Sequence, residues 1–248
     1  MKHLFSAEGL AALAAVLERR PLFAFDFDGT LAPIVERPGE ACVPKGVAIQ
    51  LDLLAQRYPV AVISGRDVED VRHRLGFAPR WILGNHGAES ADVAGPEVGA
   101  ARAALDAWRA ALDVPALVAA GVTIEHKRLS TALHYRTAPD QACAAAQIEG
   151  STATLPSGLG SFGGKAVVNV VALALPDKAA ALQRLVEKSS AGAAFFAGDD
   201  VNDEPVFERA EPHWLTVRIG RDPASRAMFH IDGPRQLAAL LKRVLLSP

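Results

Sequence analysis

Leu22-Phe23-Ala24-Phe25-Asp26-Phe27-Asp28-Gly29-Thr30 decides the fold. Its first four residues are apolar and read as a buried strand. Two carboxylates follow, one residue apart, where the strand gives way to a Gly-Thr turn. In an extended chain residues i and i+2 project to the same side. Asp26 and Asp28 can therefore face one pocket at the carboxyl end of a strand, which is where open α/β sheets bind ligands. Two carboxylates held that close repel unless a cation or a proton intervenes. The pattern suits a hard metal ion, with one carboxylate acting as nucleophile and the other moving protons. An isolated Asp-x-Asp-Gly is more often a strand-end turn in which the acids cap loose amides. Here the pattern is longer, because a full apolar strand precedes it and Thr30-Leu31 follow.

Outward from this stretch, strands and helices alternate. Residues 7–19 carry apolar positions at helical spacing, and Pro33, Pro38 and Pro44 mark a loop after the turn. A helix is expected over 45–57, a buried strand over Val60–Ile63, a helix ending near Leu75 and a short strand over Trp81–Leu83. This alternation predicts an α/β fold with a doubly wound, mainly parallel Rossmann-like sheet. From about residue 93 the rhythm changes. A helix carrying Ala101, Leu105 and Trp108 precedes two strand-like runs, 122–126 and 131–136. A helix over 139–149, a Gly/Ser/Pro-rich loop and a third strand near 166–173 complete a small α+β unit. The expectation is an inserted cap domain over 93–175, within a catalytic core of 1–92 and 176–248. From Pro176 the alternation returns, with a helix to Lys188, a strand over 193–197, a helix over 203–210, a strand over 214–217 and a helix over 234–246.

Bulk properties narrow the function classes. The chain has 248 residues, half of them hydrophobic, and a formal net charge of −2. A nucleic-acid surface wants a basic excess, which is missing. No apolar run approaches the ~20 residues that span a bilayer, and the first residues lack the apolar core of a signal peptide. Cys42 and Cys143 stand far apart, with no partner spacing for a disulfide framework or zinc site. A cytoplasmic protein acting on a small molecule, with no nucleic-acid or membrane partner, is expected. The sequence leaves the oligomeric state open.

Three further strand-end features join Asp26 and Asp28. Ser64, at the end of Val60–Ile63, has a hydroxyl that with free amides in the following turn can bind a phosphoryl oxygen, although a lone Ser there more often caps the next helix. Lys178, after Pro176-Asp177, supplies a compact point charge where two acids and a phosphate would otherwise meet unopposed. Lys165 and Lys188 are the other lysines weighed for this place. Gly198-Asp199-Asp200-Val201-Asn202-Asp203-Glu204 follows the strand Phe195-Phe196-Ala197 as a second carboxylate cluster. Asp199 is the expected metal ligand there, and Asp203 is expected to orient Lys178 or a metal-bound water.

Asp-x-Asp-Gly-Thr-Leu after a strand, Ser64, Lys178 and Gly198-Asp199-Asp200 together resemble, in order, the motifs of the haloacid dehalogenase superfamily of phosphatases. The finer resemblance is to the trehalose-6-phosphate phosphatases. It is carried by Asp26 to Ile34, by Ser64-Gly65-Arg66, by Gly84-Asn85-His86-Gly87 with Glu89, by Glu125-x-Lys127-x-x-Ser130-x-x-x-His134-Tyr135-Arg136, by Gly164-Lys165, and by the 198–207 stretch. The resemblance implies a Rossmann-like core, an α/β cap, and hydrolysis of a sugar phosphate, foremost trehalose 6-phosphate. It implies Mg2+ held by Asp26, Asp28 through its backbone carbonyl, and Asp199. Catalysis would rest on Asp26, Asp28, Ser64, Lys178 and Asp203. Substrate contacts would come from Gly65, Arg66, His86, Glu125, Lys127, His134, Lys165 and Asn169. The chain departs from the family at Asn169, where a Glu is usual, at Lys178-Ala179, where Lys-Gly is usual, and at Asn202, where Thr is usual. Strand parity puts Glu125 and Lys127 on one face, and His134 and Arg136 on one face of the next strand; the two pairs share a cleft if these strands are neighbours. Other sugar phosphates, a phosphomutase or phosphotransferase, and a non-catalytic sugar-phosphate sensor are the alternative functions.

Overall fold

The computed structural model describes residues 1–35, 37–90 and 96–247. Its strands are β1 (Lys2–His3), β2 (Leu22–Phe25), β3 (Val60–Ile63), β4 (Trp81–Leu83), β5 (Thr123–His126), β6 (Ser130–His134), β7 (Leu159–Gly164), β8 (Val167–Ala172), β9 (Ala194–Gly198), β10 (Leu215–Ile219) and β11 (Phe229–Ile231). Its helices are α1 (Ala7–Glu18), α2 (Lys45–Ala55), α3 (Val68–Arg72), α4 (Pro96–Ala111), α5 (Val114–Ala119), α6 (Gln141–Thr152), α7 (Lys178–Ser189), α8 (Glu204–Glu208) and α9 (Pro234–Leu246). The chain divides into two compact units, residues 1–87 with 177–248, and residues 88–176. The junction expected at residues 92 and 93 lies outside the described residues.

The first unit is built on a parallel sheet with strand order β1-β11-β10-β9-β2-β3-β4. β2, β3 and β9 are buried along their whole length, as strands covered on both faces must be. Phe23 and Phe25 of β2 meet Phe195 of β9 with ring centroids 5.1 and 5.8 Å apart, and Tyr58 closes edge-on over Phe23 at 5.1 Å. These rings lock β2 beside β9. From β2 the chain moves outward to β3 and β4 on one side. From β9 it moves to β10 and β11 on the other. The sheet order therefore reverses between β2 and β9, the place where such sheets open a crevice.

The second unit has its own core, around Leu105, Trp108, Leu117, Leu133, Ile148 and Val170. Its sheet is antiparallel, in the order β5-β6-β8-β7. The expected third strand is there as β8. β7, however, comes from the stretch read as a Gly/Ser/Pro-rich loop. Leu159-Gly160-Ser161-Phe162-Gly163-Gly164 has little intrinsic strand propensity, and its six-residue ladder with β8 supplies what the side chains do not. β1, β11 and α5 are likewise additions to the expected elements. Among the described residues no helix is long and apolar enough to cross a membrane.

Candidate active site

The Asp26–Thr30 stretch leaves β2 through a tight turn. The Phe27 carbonyl accepts from Leu31 N and Ala32 N at 3.0 and 2.9 Å, and Gly29 N returns to Ala32 O at 2.8 Å. Gly29 sits at φ +81°, and a Cβ there would stand 2.1 Å from an Asp199 carboxylate oxygen. Only glycine tolerates both the dihedral and the approach. The turn thereby brings the end of β2 against the carboxylate at the end of β9.

Asp26, Asp199 and Asp203 are buried, and one carboxylate oxygen from each lies within 4.8 Å of the others. Lys178, 1% exposed, reaches this cluster from the first position of α7. Asp177 caps that helix by accepting from Ala180 N at 2.9 Å, which fixes where Lys178 starts. Lys178 Nζ donates to Asp26 Oδ1 at 2.6 Å, Asp203 Oδ1 at 2.7 Å and Asn202 Oδ1 at 2.7 Å. An ammonium has three protons, and all three are placed. The other oxygen of Asp203 accepts from the amides of Asp199 and Asp200 at 2.9 and 3.0 Å. Asp203 thus holds both the lysine and the loop that carries Asp199. The same loop is held from its far side by Arg218, a buried cation on β10 that donates to Glu204 Oε1 at 2.8 Å.

Electrostatics follow from burial and charge count. Burial, together with Asp203 and Asp199, holds the Asp26 carboxyl well above the usual carboxylate range, against the opposing pull of Lys178. Burial works against the Lys178 charge, but Asp203 and Asp26 outweigh it and hold its pKa above the ordinary lysine value. Three acids against one lysine leave the pocket short of positive charge. The donor set is oxygen only, which fits a hard divalent cation, and the Gly29 turn delivers the Asp199 carboxylate to the end of β2, where a shared ion would sit.

A second group lies at the ends of β3 and β4. Ser64 is buried, and its hydroxyl accepts from Arg66 N at 3.1 Å. It does not cap α3; Asp67 holds the N-cap position. Gly65 has no room for a Cβ, which would stand 2.4 Å from the His86 ring. The ring therefore packs on the Gly65 backbone. Asn85 and His86 both have positive φ, 48° and 60°, and Asn85 is tied to Asp67 Oδ1 at 2.6 Å. Two consecutive non-glycine residues in that region store strain that the surrounding bonds must hold. Arg66, expected as a substrate contact, grips Asp28 with two hydrogen bonds, Nε to Oδ2 at 2.7 Å and Nη2 to Oδ1 at 2.8 Å. Its remaining terminal nitrogen donates to Asp70 Oδ2 at 2.9 Å.

In the second unit, Glu125, Ala132, Asn169 and Phe162 stand across one another in register. Ile124, Leu133, Val168 and Val170 point into the unit's core, so this row lies on the opposite face of the sheet. β5 and β6 are neighbours, as the parity argument required. Glu125 joins His134 Nε2 at 2.9 Å and stands 3.6 Å from Lys127 Nζ. Asn169 is buried on this face. Lys165 sits in the β7–β8 turn, exposed, with its carbonyl accepting from Arg136 at 3.0 Å. Sequence reasoning noted Asn202 only as a departure from the family's Thr and missed its bond to Lys178, and it missed Asp70 and Arg218 altogether. An amide inside an acidic run and ordinary-looking charges on a helix or strand offered no pattern to find them by.

A parallel sheet with acids at the carboxyl ends of its central strands, and a small antiparallel α+β unit inserted in the chain, defines the haloacid dehalogenase class of fold. The family model described as trehalose-phosphatase matches residues 24–232. The chain belongs to the trehalose-phosphatase family. It is 33% identical over 252 residues to a trehalose-phosphate phosphatase of Mycobacterium tuberculosis, covering 96% of this chain and 63% of that protein. It thus spans somewhat under two thirds of the length of that relative. It is 36% identical over 246 residues to an uncharacterized glycosyl hydrolase of the same species, covering 91% of this chain but 18% of that one. Among solved structures, the C-terminal domain of the C. albicans trehalose-6-phosphate phosphatase superposes with a TM-score of 0.79 at 22% identity, covering 95% and 96% of the two chains. That likeness concerns the fold.

Proposed function

We propose that this chain hydrolyses trehalose 6-phosphate to trehalose and inorganic phosphate through a phosphorylated Asp26. The observation that carries the reading is the Asp26–Lys178–Asp203 knot beside Asp199, where β2 meets β9, in a chain of this family. Asp26 attacks phosphorus with the oxygen that Lys178 does not hold, and the bond from phosphorus to the sugar oxygen breaks. Asp28 gives that oxygen its proton, then takes one from the water that attacks phosphorus and frees the Asp26 carboxylate. Lys178, Ser64 and backbone amides near Asp28, outside the turn's own hydrogen bonds, face the charge that builds on the phosphoryl oxygens. Asp26, Asp199 and the Asp28 carbonyl are the oxygens that would hold Mg2+, whose charge when bound offsets that of the phosphoryl group. The row of Glu125, Lys127, His134 and Asn169 is the proposed contact for sugar hydroxyls. Asn169 offers an amide where the family has a carboxylate, which weakens but keeps a hydrogen bond.

The test is phosphate release from a panel of sugar phosphates, with and without Mg2+. Fastest release from trehalose 6-phosphate, lost on chelation and in Asp26→Asn, is expected. Release that Asp26→Asn leaves intact contradicts the mechanism. Preference for another sugar phosphate contradicts the substrate.

A further inference from the structure

Arg109 belongs to α4, and little of its side chain meets solvent. Its guanidinium lies beneath the turn that joins β5 to β6. Nη2 donates to Lys127 O at 2.6 Å and to Ser130 O at 2.7 Å. Nε donates to Thr131 Oγ1 at 2.8 Å, and Nη1 to Asp106 Oδ1 of its own helix at 2.9 Å. Ser130 O also accepts from Lys127 N at 2.9 Å. The two carbonyls that close the turn therefore converge on one cation. A planar fork with several fixed donors can satisfy this arrangement, and a lysine ammonium cannot reproduce it.

The clamp acts from the core side of the sheet. Leu129, inside the turn, is buried in the unit's core, and Arg128 pairs with Glu89 at 3.3 Å. The turn is thus held by Arg109 of α4 at Lys127 and Ser130 and by Glu89 at Arg128, while the Lys127 ammonium stands with Glu125 on the opposite face. Burial and the Arg109 charge also hold the neighbouring His126 below its usual pKa, consistent with a cation fixed close behind β5.

We propose that Arg109 is a positioning residue for Lys127, so that loss of its fork loosens sugar-phosphate recognition and leaves phosphoryl transfer intact. The inference rests on the sugar-phosphate reading of the Glu125–Lys127–His134–Asn169 face. Nothing in the phosphoryl chemistry uses Arg109, so its effect belongs in KM for the sugar ester rather than in turnover of an ester without a sugar.

The experiment is steady-state kinetics of the full chain with Mg2+, using the sugar phosphate that the unsubstituted protein turns over fastest, and p-nitrophenyl phosphate as the ester without a sugar. Arg109→Met is expected to raise KM for the sugar phosphate about tenfold, and to keep kcat on p-nitrophenyl phosphate within about twofold. Arg109→Lys, which keeps the charge but not the fork, should behave the same way. In a Lys127→Ala background the Arg109→Met effect on KM should fall to less than about twofold, because the two residues act as a unit. Effects that multiply, an unchanged KM, or equal loss on both substrates overturns the proposal. If Arg109→Met does not fold, Asp106→Ala removes the exposed acceptor that orients the guanidinium. It should raise KM by about two- to threefold, again only when Lys127 is present, and no change there also overturns the proposal. Failure of the trehalose 6-phosphate reading shows separately, in the substrate preference of the unsubstituted protein.

Discussion

Both oxygens of the Asp28 carboxylate are held by one side chain: Arg66 donates to them from Nε and Nη2, at 2.7 and 2.8 Å. In the proposed reaction Asp28 must part from Arg66 before it can protonate the sugar oxygen. Asp70 and the Phe27 ring, 5.4 Å from the Arg66 guanidinium carbon, give Arg66 other partners when it does.

Arg66→Ala leaves Asp28 without the group that orients it. Turnover of the sugar phosphate is expected to fall roughly 10–100-fold, part of what a general acid contributes. The first step with p-nitrophenyl phosphate, read as the burst of p-nitrophenolate, should lose much less, because its phenolate departs without a proton, whereas release of phosphate uses Asp28 for both esters. Pre-steady-state kinetics on the two esters check this; equal losses in the first step would place Arg66 on the phosphoryl group instead.

Asn202 is the third acceptor for Lys178, beside Asp26 and Asp203. Asn202→Ala removes a hydrogen bond to a charged group, at a cost of roughly 1.5–3 kcal/mol. Thermal unfolding should show a midpoint lower by several degrees. Lys178→Met leaves Asp26 and Asp203 buried without their cation and should cost roughly 3–5 kcal/mol. A smaller loss for Lys178→Met than for Asn202→Ala would contradict this account of the knot.

Asp70 sets an acid dependence. Burial raises its pKa, but hydrogen bonds from Arg74 and Arg66 outweigh that and hold it below the ordinary value of 3.8. A depressed carboxylate contributes stability above its unfolded pKa and loses it as pH falls through the folded one. Urea unfolding should therefore separate the unsubstituted protein from Asp70→Asn at about pH 6. The two curves should converge as the pH falls below 3.8 and through the depressed Asp70 value. A gap that persists in acid would mean that Asp70 acts through packing rather than charge.

The parallel sheet was legible because its central strands are buried on both faces and end in paired acids, which no surface strand needs. Lys178 was legible because three anions at one point demand a cation. β7 was not, since its glycines and serine carry no strand signal and its pairing with β8 comes from the tertiary fold. The grip of Arg66 on Asp28 was also hidden. It spans 38 positions and exists only because β2 and β3 are neighbours. The roles of Asn202 and Arg109 were hidden because they lie in the hydrogen-bond partners these residues meet, not in their spacing.

The central claim is that phosphorus passes through Asp26. The direct measurement is acid-quenched mass spectrometry of the protein during turnover of trehalose 6-phosphate with Mg2+. The account predicts one phosphoryl group on the peptide that carries Asp26. Asp28→Asn should still take it up from p-nitrophenyl phosphate, release it more slowly and so accumulate it, and Asp26→Asn should lack it. A phosphoryl group on another residue, or continued phosphate release by Asp26→Asn, would contradict the account.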